Sequence, residues 1–138
     1  MRRAYRIAFI AAAGVASLDA VPAAADEPLP LAVTLQCDRA PEPGRVRCTV
    51  EARAAAGRTL QWADVVLVEL PELAQALKGR LGLADSIARD ATSERWAFGF
   101  VAKKAGEGEA KVRVRAVVCE GERCASVSVD AKAVVKVG

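Results

Sequence analysis

The sequence contains no histidine among its 138 residues, and aromatic residues make up only 4% of it. Histidine is the commonest general base and a frequent metal ligand, so its absence excludes Ser-His and Cys-His nucleophilic sites and histidine-ligated metal centres. The excess of positive charge is also small, because 20 Lys and Arg residues are nearly balanced by 17 Asp and Glu residues, which gives a formal net charge of +3. Nucleic-acid-binding proteins usually carry a clustered basic face, so we expect no nucleic-acid partner. The sequence favours a protein without catalytic activity, cofactor or metal.

Long apolar runs are missing after the N-terminal segment, and that segment has the order of a targeting signal. Arg2, Arg3 and Arg6 precede the apolar run 7–18, and three alanines follow at 23–25. A basic start, a short apolar stretch and an Ala-x-Ala site are typical of a secretory signal peptide. The apolar run is shorter than the roughly 20 residues that a membrane-spanning helix needs.

We therefore predict a secretory signal peptide over residues 1–25 and a single β-sandwich domain over residues 26–138. The product would be periplasmic or secreted, with no membrane span after signal removal. The alternative is a hydrophobic N-terminal helix that stays in the mature chain. A hydrophobic fraction of 53% is sufficient for a packed core and argues against a disordered chain.

Alternating patterns along the chain predict β-strands. Four stretches alternate apolar and polar residues with a period of two, which is typical of strands with one buried face. They are residues 31–38, 45–53, 112–118 and 126–137. Residues 60–70 and 96–102 are two further predicted strands, the first apolar on both faces with a bulge near Asp64. Trp62 and Trp96 lie in these two strands, and we expect both to fill the core.

Residues 71–90 are the one section without a strand pattern. Pro71 stands where a helix can begin, and Gly79 and Gly82 are expected to end that helix. Its apolar residues at helical spacing are Leu73, Ala76 and Leu77. The predicted fold class is mainly β, an antiparallel immunoglobulin-like β-sandwich of six or seven strands with one short inserted helix.

The four cysteines predict two disulfide bonds of different character. An even cysteine count in an exported chain implies disulfides, and four cysteines allow three pairings. Strand parity places Cys37 and Cys48 on the buried faces of consecutive strands, which predicts a buried structural bridge. The same counting places Cys119 and Cys124 together on the polar face of the last hairpin, which predicts an accessible bridge. That second bridge is either a hairpin staple or a redox-active pair.

The last hairpin resembles part of a known family. The run from Val118 through Cys119 and Cys124, with its flanking strands over about 110–130, is similar to the immunoglobulin-like N-terminal domain of periplasmic thiol–disulfide interchange proteins. The resemblance implies that Cys119 and Cys124 pass electrons to other periplasmic proteins. In that family an aromatic residue or leucine and prolines commonly follow the second cysteine, whereas this chain has Ala125 and Ser126 there.

Charged residues offer one candidate contact face and one acidic group. Arg45, Arg47 and Arg53 alternate along the polar face of one predicted strand. This face is either solvated or contacts another protein, because arginine is enriched in protein interfaces. The acidic group comprises Asp85, Asp90 and Glu94, and we interpret it as solvated rather than as a calcium site, which needs oxygen ligands closely spaced on a defined loop.

The preferred functional prediction is an exported, disulfide-stapled immunoglobulin-like module that binds or supports other molecules without catalysis. Its partner would be another exported protein. The alternative is a thiol–disulfide exchange domain, part of a thiol–disulfide oxidoreductase, that uses the Cys119/Cys124 pair.

Overall fold

The computed structural model describes residues 29–138 and, before them, only Gly14. Apart from Gly14, the predicted signal peptide over 1–25 lies outside the described residues. The described part is built from β-strands, with one 3-10 turn at Leu83–Asp85. The strands are β1 (Leu31–Cys37), β2 (Gly44–Ala54), β3 (Thr59–Glu69), β4 (Ala74–Ala76), β5 (Arg80–Leu81), β6 (Ser86–Arg89), β7 (Ser93–Ala102), β8 (Gly106–Glu120) and β9 (Arg123–Val137).

These strands form two antiparallel sheets. Sheet A has the order β1-β2-β7-β4, and β6 also pairs with β7. Sheet B has the order β5-β3-β8-β9. The predicted mainly-β, two-sheet antiparallel sandwich is therefore confirmed, whereas its immunoglobulin-like topology stays a prediction.

The core lies between the inner faces of the two sheets. On sheet A, Val50 of β2 and Trp96 and Phe100 of β7 have no exposed surface. On sheet B, Val112 and Val114 of β8 are equally buried. These residues belong to the apolar sets that the period-two pattern assigned to buried faces, because alternate side chains of a strand point to opposite faces. Trp96 fills the core as predicted.

Trp62 contradicts the prediction that both tryptophans are internal, since 45% of its surface is exposed. The pairing of β3 with β8 shifts by one residue between Leu60 and Trp62. A bulge of this kind reverses the faces of the residues that follow it, and it places Trp62 on the outer face of sheet B. The predicted bulge near Asp64 is displaced, because the shifts lie at 60–62 and again at 67–69.

The helix predicted from Pro71 is absent, and three short strands and the 3-10 turn take its place, so the described residues contain nine strands rather than six or seven. Leu73 points into the core, whereas Leu77 is half exposed, so the predicted apolar helix face does not exist. The backbone of this segment instead pairs with strand edges: Gln75 lies opposite Val101 of β7, and the Leu67 amide donates to the Gly79 carbonyl at 2.9 Å. Unpaired edges of long strands thus override a weak local helix preference.

Candidate functional site

The bridge between Cys37 and Cys48 joins the first two strands of sheet A. The two residues lie directly opposite each other in the β1–β2 register, with their Cα atoms 4.0 Å apart. Cys48 is fully buried and pairs on its other side with Phe98 of β7. Cys37 is half-buried at the end of the edge strand. This bridge fixes an edge strand to the middle of its sheet, which is a structural role.

The second bridge, between Cys119 and Cys124, lies at the end of the β8–β9 hairpin. The sequence predicted that both cysteines are accessible, but Cys119 is only 1% exposed, and that part of the prediction is wrong. β8 is a central strand, so Cys119 lies between Thr59 of β3 and Cys124 of β9. Cys124 is on the edge strand and is exposed as predicted. One sulfur of this bridge is therefore much more open to attack than the other.

A small hollow of about 220 Å³ opens beside Cys124. Arg58 and Arg123 line it, and Arg58 also lies 3.6 Å from the carboxylate of Glu120. The two arginines are cationic and Glu120 is anionic, so the charge around this hollow is mixed.

The predicted arginine face divides into two parts. Arg53 donates to Glu51 at 2.9 Å, and Arg95 of the neighbouring β7 donates to the same carboxylate at 2.8 Å. The hydrogen bond from Arg95, followed by that from Arg53, lowers the pKa of Glu51 below its ordinary value of 4.5. Arg53 is therefore engaged within the protein. Arg45 and Arg47 are exposed, and no carboxylate of residues 29–138 lies within 4.0 Å of either guanidinium.

A groove of about 770 Å³ runs beside Arg45 and Arg47 on the outer side of sheet A. Its walls include the proline-containing turn 40–44 and the half-exposed Leu77. Gly99 lies opposite Arg47 in the β2–β7 register and has no side chain to fill the space; a Cβ there would meet Leu77 Cδ1 at 3.5 Å. The groove thus combines an apolar wall with three arginines, Arg39, Arg45 and Arg47, and two carboxylates, Asp38 and Glu42.

An ionic cluster on the outer face of sheet B was not predicted from the sequence. Asp64 of β3 is only 1% exposed although it points outward. Arg115 of β8 holds both of its oxygens, with Nε to Oδ1 at 2.8 Å, and Arg80 of β5 donates to Oδ2 at 2.8 Å. The hydrogen bonds from Arg115 outweigh desolvation and lower the pKa of Asp64 below 3.8. In the sequence, the sign of this cluster is the single carboxylate of Asp64 within an otherwise apolar predicted strand.

The hollow above this cluster is open to solvent. It measures about 400 Å³ and is lined by Trp62, Arg115, Val117 and the hydroxyl-bearing residues Ser126 and Ser128. It lies across β3, β8 and β9 on the outer face of sheet B. Since the sequence suggested an internal Trp62, this surface could not be anticipated without the bulge in β3.

The three acidic residues considered for calcium have separate roles. Asp85 accepts from Lys78 Nζ at 2.7 Å, and Asp90 accepts from the backbone amides of Thr92 and Ser93 at 2.8 Å. Glu94 is 2% exposed and faces the sandwich interior. Across residues 29–138, no group of three or more potential metal-ligating side chains lies together.

Glu94 is the most unusual of these carboxyl groups. Its Oε1 atom and the Nε1 atom of the neighbouring inward residue Trp96 are buried without a hydrogen-bond partner in the described part of the chain. Burial raises the pKa of Glu94 above 4.5, and this exceeds the opposing effects of the Ser86 hydroxyl and the Arg89 charge. Unpaired buried polar atoms destabilise the folded state.

Comparison with known proteins gives few leads. No protein-family model matches the chain, and no curated protein matches it significantly. A chain from the AAF fimbriae of enteroaggregative Escherichia coli, described for fibronectin binding and biofilm formation, is 14% identical, with 78% of this chain and 99% of that chain covered and a TM-score of 0.34. BslA, a bacterial hydrophobin, is 12% identical, with 78% and 93% covered and a TM-score of 0.35.

Likenesses of this degree carry no argument about what the chain binds. The resemblance to thiol–disulfide interchange proteins stays a prediction. Within the described residues, no helix has the length and apolarity that crossing a membrane would require.

Proposed function

We propose that this protein is an exported, non-catalytic binding module that takes an acidic, partly apolar segment of another exported protein into the groove on sheet A. The observation that carries the proposal is the state of Arg45 and Arg47, which are exposed beside the groove with no ion-pair partner among residues 29–138. Arginine is enriched in protein interfaces because it combines charge, hydrogen bonding and apolar contact area.

The shape of the groove supports the same partner chemistry. The half-exposed Leu77 offers an apolar contact, and the bare backbone at Gly99 leaves room for a side chain of the partner. Arg45 and Arg47 stand on the same strand face, two residues apart, so both guanidinium groups can reach one short segment. A segment carrying Asp or Glu next to an aliphatic or aromatic residue would satisfy both parts.

Export is supported by the cysteines and by the N-terminal pattern. All four cysteines are paired in the two bridges, and such bridges persist in oxidising compartments such as the periplasm or the extracellular space. The basic and apolar order of residues 1–25 is the order of a secretory signal peptide. A periplasmic or secreted location is consistent with both observations.

A peptide-display selection tests the proposed function. Random peptides selected on the native protein are expected to be enriched in acidic residues adjacent to apolar ones. Their binding should fall at least tenfold with the double variant Arg45→Glu and Arg47→Glu, because both the long-range attraction and the direct contact are removed. It should fall less with Leu77→Ser, which removes only an apolar contact. The matched control is Lys103→Glu with Lys104→Glu, which changes the charge equally at two exposed residues that do not line the groove.

Two outcomes would refute the groove as the binding site. One is selected peptides without acidic enrichment. The other is equal loss of binding in the groove variant and in the lysine control, which would show that net charge alone is responsible. Far-UV circular dichroism of each variant verifies that the sheets remain folded.

A second candidate function, thiol–disulfide exchange at Cys119–Cys124, is favoured by the exposure of Cys124 beside Arg58 and Arg123. In such a reaction a partner's thiolate would attack Cys124 Sγ, form a mixed disulfide and release Cys119 as a thiolate. A second thiol of the partner would then complete a two-electron transfer, so that the partner dithiol is oxidised and the bridge is reduced.

Alkylation at graded reductant levels, read by mass spectrometry, tests this second candidate. The Cys37–Cys48 bridge serves as the internal control because neither of its cysteines is exposed, whereas Cys124 of the other bridge is. Opening of Cys119–Cys124 at levels that leave Cys37–Cys48 closed would support exchange. Equal resistance of both bridges down to strongly reducing conditions would refute it.

A further inference from the structure

β9 is a long edge strand whose outer side makes few backbone hydrogen bonds within residues 29–138. It is the last strand of sheet B and pairs along its whole length, 15 residues, with β8 in a register without any shift. Its other side is bonded, within residues 29–138, only at the end: the Ala40 amide donates to the Lys136 carbonyl at 3.1 Å, and the Gly138 amide donates to the Ala40 carbonyl at 2.8 Å.

Edge strands of monomeric proteins usually carry a device that prevents further pairing, such as a proline, a bulge, charged side chains, a covering loop or very short length. β9 contains no proline and no bulge, and it is as long as any strand in the described part of the chain. β1, the edge strand of sheet A, is paired with β2 and also lies beside β9, which the β1–β2 connection meets through a parallel bridge between Ala40 and Val137. Over about 125–135, the outer backbone donors and acceptors of β9 have no hydrogen-bond partner within residues 29–138.

The inner face of β9 is incompletely covered in the single copy. Its inward apolar residues Val127, Val129, Ala131 and Ala133 are all half-buried. Their register partners on β8 are Ala116, Val114, Val112 and Ala110, which are between 0% and 2% exposed. The two rows face the same core, and β8 differs in having a strand on each side. A further strand along β9 would complete the burial of its apolar row.

The outer face of β9 carries the charges that would define a register. Asp130 and Lys132 are two residues apart on the same face. When two copies of β9 pair antiparallel about a two-fold axis at Ala131, Asp130 of each copy lies opposite Lys132 of the other. Moving the axis by one residue in either direction sets Asp130 against Asp130 or Lys132 against Lys132, which is unfavourable.

From these observations we propose that the free edge of β9 pairs with β9 of a second copy, antiparallel and centred on Ala131, so that sheet B continues across a symmetric dimer. The interface is isologous, as a two-fold axis requires. Asp130 keeps its bond from Arg113, at 2.8 Å, and its ion pair with Lys111, at 3.5 Å, and gains a third cation from the other copy. The inward apolar residues of the two β9 strands then lie side by side where the strands pair.

A single pair of strands makes a small interface, so the dimer should be weak. Stable interfaces bury roughly 800 Å² per partner, and one strand edge supplies less. We therefore expect a dissociation constant in the micromolar range or higher. The groove on sheet A is not involved. The dimer and the proposed function can therefore fail independently.

Sedimentation-velocity measurements from about 10 to 500 µM test the proposal on the protein with both disulfides closed, a range set by the expected weakness of a small interface. The wild type should shift towards the dimer with concentration. Asp130→Lys and Lys132→Asp should each remain monomeric, because each sets like charges opposite in the two-fold pairing. An equimolar mixture of the two variants should dimerise again, since lysines at both positions of one copy then face aspartates at both positions of the other.

Matched controls separate this interface from general charge effects. Lys104→Asp changes the charge by the same amount as Lys132→Asp at an exposed turn, and it should dimerise like the wild type. The groove variant Arg45→Glu with Arg47→Glu should also dimerise normally. Amide exchange over 125–135 should slow in the wild type as concentration rises.

Several results would overturn the proposal. They are a wild type that stays monomeric throughout the range, a Lys132→Asp variant that dimerises like the wild type, and a mixture of the two variants that stays monomeric while both are folded by circular dichroism.

Discussion

At the scale of single residues, Asp64 carries the clearest energetic role in the described structure. It is 1% exposed, and its partners Arg115 and Arg80 are 45% and 64% exposed. Replacing it with Asn removes the charge that both guanidinium groups contact, while the arginines can turn to water. We expect Asp64→Asn to lower the free energy of unfolding by about 1.5–3 kcal/mol, the range for hydrogen bonds to charged groups.

Urea denaturation at neutral pH measures this effect, and Asp130→Asn is the matched control. Asp130 also accepts from an arginine at 2.8 Å, but one third of its surface is exposed. Exposed ion pairs typically contribute less than about 1 kcal/mol, so the control should change little. A loss at Asp130 equal to or larger than the loss at Asp64 would contradict the importance of burial.

The burial and the partners of Asp64 could not be predicted from the sequence. Its burial depends on two arginines from other strands, at separations of 16 and 51 residues. The sequence pattern of β3 alone could not identify these partners. The exposure of Trp62 likewise depends on one register shift against β8. Arg45 and Arg47 were placed correctly on an outer face, because their position follows from strand alternation alone.

At the scale of elements, the two disulfides constrain different pairs of strands. Cys37–Cys48 spans a sequence separation of 11, and Cys119–Cys124 spans only 5. In the chain-entropy model, longer loops give more stabilisation, about 3 kcal/mol for the first bridge and about 2 kcal/mol for the second. The paired substitution of Cys37 and Cys48 by alanine should therefore lower the melting temperature more than the paired substitution of Cys119 and Cys124.

Thermal melts of the two double variants under identical conditions test this order. Each variant removes both partners of one bridge, so neither leaves a free thiol. A larger loss for the hairpin bridge would mean that the burial of Cys119, which the sequence did not predict, outweighs loop length.

The long strands were predictable because each keeps its apolar residues on one side over many positions, as in β8 and β9. The region 71–90 was not, because spacings of three and four residues occur by chance in short segments. Leu73 and Leu77 fit a helix face in sequence, but the structure sends one to the core and the other to the surface. Pairing with the edges of β3 and β7 determines this region, and that pairing is a long-range property.

At the scale of the whole molecule, carboxyl groups whose pKa values shift in opposite directions determine how stability depends on pH. Arginine hydrogen bonds lower the pKa values of Asp64, Asp130 and Glu51 in the folded state. Their contribution is present above the ordinary carboxyl pKa and is lost as the pH falls through the folded value. Burial raises the pKa of Glu94 above 4.5, so the folded state holds an extra proton between 4.5 and that raised value.

Since the unfolded state then binds fewer protons than the folded state, the Glu94 contribution decreases as the pH rises through that window. The stability maximum should accordingly lie on the acid side of neutrality. Glu94→Gln should abolish the decline above pH 4.5 while leaving the acid-side loss unchanged. Urea denaturation at a series of pH values measures both limbs, with the exposed Glu107→Gln as the control. Parallel curves for the wild type and Glu94→Gln would mean that the buried carboxyl finds a partner that compensates its charge.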